Sequence, residues 1–210
     1  MILYLSSNKL GNKTDFLKDW IENNSKKIVL ITNARDAKIQ NDEEKEKLNK
    51  NIEMLKEIGF EVNILDLKEY FGNTELLNKE LKKYNSFCVI GGNVFVLRHA
   101  MKLSGFDQYL INNRDNNKLL YIGYSAGSCV LTKNLDGFQL VDEPINPYND
   151  ENIIYEGVGL LDYCIVPHYK SNHKESALID DVVQYMQEKR IKYKALSDGD
   201  VIIKAQKLLM

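Results

Sequence analysis

The sequence predicts an α/β fold on a mostly parallel sheet, and three observations predict it. Short apolar runs alternate with amphipathic stretches of ten or more residues, the grammar of βαβ units. Runs such as Ile28–Thr32 are continuously apolar and β-branched, as in strands buried on both faces. Two runs end at glycine-rich turns, Gly91-Gly92-Asn93 and Gly123-Tyr124-Ser125-Ala126-Gly127. The carboxyl ends of parallel strands are where such sheets hold ligands.

The elements follow in order. Met1–Ser6 is a strand ended by polar Ser7 and Asn8. Asp15–Asn23 places Phe16, Leu17, Trp20 and Ile21 at helical spacing. Ile28–Thr32 is the second strand. Glu43–Ile58 is an amphipathic helix with Leu48, Ile52, Leu55 and Ile58 on one face and Gly59 at its end. Glu61–Leu67 is the third strand, Asn73–Lys83 a helix and Phe87–Ile90 the fourth strand. Helices follow at about Val94–Leu103 and Phe106–Asn112, then a fifth strand at Lys118–Tyr124. Asn134–Tyr155 reads as a long loop with one short strand near Phe138–Val141. Tyr163–Val166 is a strand and Glu175–Lys189 a helix. Tyr193–Leu196 and Val201–Lys204 flank a Ser-Asp-Gly-Asp turn and read as a hairpin.

Length and composition narrow the function. A chain of 210 residues suits one domain over 1–210, with a core that needs no staples. The net charge of −2 and the mixing of Lys with Glu leave no basic face for nucleic acid. No apolar run reaches membrane-spanning length, and the N-terminal run is too short for a signal peptide. Cys88, Cys129 and Cys164 are odd in number and set in apolar sequence. They read as buried free thiols in a cytoplasmic protein, with Cys129 packing a helix on the sheet. No Cys/His spacing suits a structural metal.

The stretch 119–128 carries the chemistry. An apolar strand stops at Gly-x-Ser-x-Gly, and small residues then open a helix. That is a nucleophile elbow with Ser125 at its tip. The new helix aims free N–H groups and a positive dipole end at the serine, where an oxyanion would form. The motif alone recurs by chance in roughly one chain of this length in fifteen, so its context and partners decide. Of three histidines, His99 sits in an amphipathic helical run and His173 in a polar stretch before a helix. His168 follows an apolar strand and Pro167, at a strand's carboxyl end, and is the candidate base. Asp198, Asp200 and Asp136 are the candidate acids to orient it. The oxyanion donors expected are the Ala126 N–H and one from the Gly91-Gly92-Asn93 turn.

Taken together, Gly-Gly-Asn after a strand, Gly-x-Ser-Ala-Gly-Ser, Pro-His-Tyr, and Leu-Ser-Asp-Gly before an apolar strand resemble the peptidase E (aspartyl dipeptidase) group of serine peptidases. Cyanophycinases are relatives of that group. The resemblance covers nearly the whole chain. It implies a flavodoxin-like three-layer sandwich with helices on both faces of the sheet, related to class I glutamine amidotransferases, with serine replacing their cysteine. It implies Ser125 as nucleophile, His168 as base and Gly92 and Ala126 as oxyanion-hole positions. Asp198 falls where the family's triad has a glutamate, and Asp136 lies near another acidic position of the family, with Asp200 a further alternative. Asn93, beside the hole, is expected to bind substrate, with Tyr124 and Tyr169.

One departure bears on specificity. Aspartyl-specific members carry a Gly-Glu-Thr-Arg-type run after the histidine. Here it reads His173-Lys174-Glu175-Ser176-Ala177, with Ala177 at the arginine's position and Lys170 and Lys174 nearby. The expectation is therefore a cytoplasmic serine hydrolase for short peptides or small amides, monomer or homodimer, without metal or cofactor. Its preference need not be aspartyl. A non-peptide amidase or esterase, and a silent binding homologue, are the competing readings.

Overall fold

The computed structural model describes residues 1–148 and 152–205. Its six-stranded sheet is built from β1 (Ile2–Ser6), β2 (Lys27–Ile31), β3 (Glu61–Ile64), β4 (Ser86–Val89), β5 (Leu120–Tyr124) and β8 (Val201–Ala205). The order is β3-β2-β4-β5-β1-β8. All neighbours are parallel except β8, which runs antiparallel to β1 with Ser6 opposite Val201. A separate parallel pair joins β6 (Cys164–Val166) to β7 (Tyr193–Ala195). The helices are α1 (Thr14–Asn23), α2 (Asp42–Ile58), α3 (Thr74–Leu81), α4 (Val94–Ser104), α5 (Phe106–Asn112), α6 (Ala126–Cys129) and α7 (Ser176–Glu188).

The three layers follow from strand periodicity. Successive strand residues point to opposite faces. Leu3 and Leu5 of β1 enter one core and Tyr4 the other; Val29 and Ile31 of β2 part from Ile28 and Leu30 in the same way. Helices α1 and α2 cover one face through Leu17, Trp20, Ile21 and Leu55. Helices α3, α4, α5 and α7 cover the other through Leu77, Phe95, Phe106 and Val182. This is the α/β sandwich that the alternation of strand and helix predicts. Helix α2 shows the local logic. The Asn41 side chain accepts the Glu44 N–H at 2.9 Å, three acids occupy its first turn, and Gly59 ends it at φ 112°.

Two local expectations are corrected. Phe138–Leu140 forms a 3-10 turn instead of a strand, with the Val141 N–H bonded to the Phe138 carbonyl at 3.0 Å. Phe138 is buried in the core shared with α7 while Leu140 stays exposed, and no strand offers this segment a partner among the described residues. The supposed hairpin is a crossover. Its turn forms as read, but β7 pairs with β6 and β8 with β1, so residues 197–200 step from one sheet to the other. Among the described residues, no helix is long and apolar enough to cross a membrane.

Candidate active site

Strand β5 delivers Ser125 to the top of the sheet. The serine sits at φ 49°, ψ −121°, a sparsely populated conformation that turns the chain directly from strand into α6. The surrounding structure fixes that turn. The Ser125 N–H reaches the Ser7 carbonyl at 3.2 Å, and the Ser128 and Cys129 N–H groups bond the Ser125 carbonyl at 2.8 and 3.0 Å. The flanking glycines are needed for close approach. A Cβ on Gly127 would lie 2.1 Å from the Val89 carbonyl oxygen, and one on Gly91 would lie 2.9 Å from the Ser125 Cβ.

His168 follows β6 and is 3% exposed. Its Nε2 lies 3.3 Å from Ser125 Oγ, and its Nδ1 lies 2.8 Å from Asp198 Oδ1. The carboxylate can only accept, so Nδ1 carries the proton and Nε2 is free to accept from the serine. Asp198 is held from three further sides. Ser7 Oγ donates to Oδ1 at 2.8 Å, Asn8 Nδ2 donates to Oδ2 at 3.1 Å, and Ser171 Oγ accepts the Asp198 N–H at 2.7 Å. Ser7 Oγ also accepts the His168 N–H at 2.8 Å, tying both residues to the end of β1.

The electrostatics agree with this geometry. Burial pulls His168 below the usual imidazole range; Asp198 opposes that pull and His173 adds to it. Burial pushes Asp198 upward, but hydrogen bonds from Ser7 and His168 outweigh it and its carboxyl lies below the usual range. The buried Cys129 thiol is pushed well up by burial and is no rival nucleophile.

Other predicted residues fall in different roles. Asp136 accepts from the Asn134 side chain at 2.6 Å, and Asp200 accepts the Ser197 N–H at 2.9 Å. Each stabilises its own turn, and neither bonds His168. Ala126 is the first residue of α6, so its N–H has no intrahelical acceptor. Gly92 packs against Ala34, where a Cβ would lie 2.4 Å from the carbonyl oxygen. Asn93 caps α4: its Oδ1 accepts from Phe95 and Val96 at 2.9 and 3.0 Å, and its Nδ2 donates to the Glu143 carbonyl. Tyr124 lines the cleft and its hydroxyl bonds Asn51. Tyr169 is not among the lining residues; it packs on the core, with the Lys170 ammonium 5.1 Å from its ring centroid.

The cleft encloses about 610 Å³. Ser125, His168, Gly91, Gly92, Asn93 and Tyr124 lie on it, together with Arg35, Lys38, Asp142, Glu143, Lys174 and Glu175. Arg35 is engaged by a bidentate pair with Glu44 at 2.6 and 2.7 Å. Asp142 Oδ2 accepts the Val94 N–H at 2.8 Å. Burial raises this carboxyl to about 7, Glu175 adds to the rise, and Val94 and Lys38 moderate it. Ala177 is exposed and absent from the lining; Glu175 faces the cleft in its neighbourhood.

Sequence reasoning missed Ser7, Asn8 and Asp142, and read His173 as a solvated loop residue. The first two had a readable signal, since they follow a strand's carboxyl end just as the glycine turns do. His173 stacks on His168, with centroids 3.8 Å apart and planes within 10°. With Glu175, these histidines place three potential ligand atoms within 4.8 Å. Nearly parallel imidazoles do not point their lone pairs at one common ion. Joint coordination would require one ring to turn out of the stack.

The fold is an α/β sandwich, and at the end of its sheet Ser125, His168 and Asp198 are joined in a serine–histidine–aspartate arrangement. The chain belongs to Peptidase family S51, whose profile matches residues 2–207. Among its relatives are two uncharacterized peptidases. That of Listeria innocua is 34% identical over 91 residues, which is 43% of this chain and 42% of the relative. That of Listeria monocytogenes is 29% identical over 138 residues, 65% of this chain and 64% of the relative. The chain thus matches less than two thirds of either relative's length. Two solved structures share the fold. One, a Listeria monocytogenes protein assigned to peptidase E, superposes with a TM-score of 0.74 at 22% identity, covering 97% of this chain and 98% of its own. A peptidase from an acI-B1 Actinobacterium gives 0.68 at 16% identity, covering 97% and 82%.

Proposed function

We propose that the protein cleaves short peptides through an acyl-enzyme on Ser125. The observation that carries this reading is the placement of His168 between Ser125 Oγ and Asp198. Ser125 attacks the carbonyl as His168 Nε2 takes its proton. Asp198 keeps the imidazole in the required tautomer and stabilises the imidazolium. The N–H groups of Gly92 and Ala126 receive the oxyanion. His168 then protonates the leaving amine, and water, activated by the same base, releases the acid.

The substrate side departs from aspartyl specificity. Carboxylates Asp142, Glu143 and Glu175 line the cleft together with Lys38, Lys47 and Lys174, and Arg35 already serves Glu44. A substrate carboxylate brought there loses water and finds no unengaged guanidinium among the described lining residues. We therefore assign the protein to short peptides without a required aspartyl first residue. Three buried free thiols support a reducing, cytoplasmic setting.

Fluorophosphonate treatment followed by mass spectrometry tests the mechanism. The adduct is expected on Ser125 and absent from Ser125→Ala. An adduct on another serine, or hydrolysis surviving in the alanine variant, overturns it.

A further inference from the structure

His168 is fixed at both ring nitrogens, but edge bonds alone leave an imidazole able to tip about the line joining its partners. Its Nε2–Ser125 Oγ separation of 3.3 Å is already at the long end for proton transfer. A small tilt would open it further. The face of the ring is where additional control has to act, and that face carries His173.

The His173 ring is itself held in place. Its Nδ1 accepts the Glu175 N–H at 3.3 Å, which leaves the ring proton on Nε2 in the neutral tautomer. Its carbonyl accepts the Ser176 N–H at 3.0 Å, tying the residue to the start of α7. Ser176 Oγ in turn accepts the Ser171 N–H at 3.2 Å, and Ser171 holds the Asp198 N–H. The segment that carries His173 is therefore bonded to the same loop that fixes the acid.

We propose that His173 is a positioning residue, a plate that holds the His168 imidazole in the plane joining Ser125 to Asp198. The inference rests on the serine-hydrolase reading of this site. The contact is face to face, so what the site requires at residue 173 is a flat ring. An aromatic ring without nitrogens meets that requirement, and a methyl group does not.

The test is the second-order rate of fluorophosphonate labelling at Ser125, measured for wild type, His173→Ala and His173→Phe, with Ser125→Ala as the control. This readout needs no knowledge of the natural substrate. His173→Ala is expected to label roughly tenfold more slowly, within the cost of a sub-ångström misplacement. His173→Phe is expected to recover to within about threefold of wild type, because the plate is restored. The pH profile separates positioning from general structural support. The groups facing this pair are Asp198 and Glu175, with Asp142 across the cleft and Lys170 and Lys174 on the same segment. Asp198 and Glu175 raise the His168 value and His173 lowers it. Removing His173 while keeping the other groups therefore moves the acid limb of His173→Phe to higher pH.

Equal rates for His173→Ala and wild type overturn the proposal. So does a His173→Phe variant as slow as His173→Ala, which would assign the role to a ring nitrogen. If His173→Ala does not fold, His173→Phe decides alone: a near-wild-type rate with a displaced limb supports the plate, and a slow one overturns it. Absence of labelling in wild type, or labelling of Ser125→Ala, sinks the serine-hydrolase reading and this inference with it.

Discussion

Asp198 Oδ1 receives both the His168 Nδ1 proton and the Ser7 hydroxyl, each at 2.8 Å. One oxygen thus orients the base and is itself oriented by the end of β1. Asp198→Asn puts an amide where the carboxylate stood and favours the wrong imidazole tautomer. We expect kcat to fall by roughly 10³–10⁴. Asp136→Ala and Asp200→Ala should stay within about tenfold of wild type, since each loses a turn contact and neither carboxylate bonds the imidazole. A matched steady-state series checks the ordering.

Ser7→Ala is expected to behave as a support lesion. It leaves the buried His168 N–H without its acceptor and removes one donor from Asp198. Stability should fall by about 1–2 kcal/mol. The rate should fall through kcat with KM little changed, because Ser7 is not on the cleft. Denaturant titration and steady-state kinetics read the two effects, and an effect confined to KM contradicts this role.

The pH profile of kcat/KM follows from His168. The neutral imidazole is the base, and burial lowers its value below the ordinary one near 6.5. Activity should rise with pH through a midpoint under 6.5 and be fully developed at neutrality. A midpoint at or above 7 rules out this environment for the working base.

Asp142 governs a stability effect of definite sign. Its folded value is about 7 against an ordinary 3.8, so between those values the folded state binds more protons than the unfolded chain. Its contribution is fully present below about 3.8 and is lost as pH rises through 7. Asp142→Asn keeps an acceptor for Val94 and removes the charge. The variant should gain on wild type from pH 4 to 7, by up to about 4 kcal/mol for a shift of roughly three units, and then hold a constant lead. Melting curves across that range check it, and a lead that shrinks with rising pH contradicts it.

Specificity is read from a matched Xaa-Leu dipeptide series. Asp-Leu should not be favoured over the Ala, Asn and Lys members, because the Ala177 side chain offers no guanidinium and Arg35 is held by Glu44. A preference for Asp-Leu of roughly a hundredfold, on the order of 2.7 kcal/mol, is the result that refutes this.

The sheet was legible because its strands are short, apolar and separated by periodic helices. The elbow, His168 and Asp198 were legible because each ends a strand in a motif with a chemical reason. The rest depended on information that sequence spacing does not carry. The turn at Ser197–Asp200 has hairpin chemistry, yet turn residues do not say which strand pairs with which, and β7 and β8 join different sheets. Phe138–Val141 has strand-like residues, but tertiary burial of Phe138 against α7 overrides that local preference. His173 lies in a polar stretch that reads as a solvated loop, and only the fold of residues 168–176 brings its ring onto His168.

The pairing of β1 with β8 also bears on the order in which the site is assembled during synthesis. Ser6 lies opposite Val201, and that register brings Ser7 and Asn8 to Asp198. On the ribosome, the nucleophile and the base emerge well before the acid, and the acid stays unclamped until β8 has docked. Completion of the sheet is thus the event that joins Ser125, His168 and Asp198 into one arrangement.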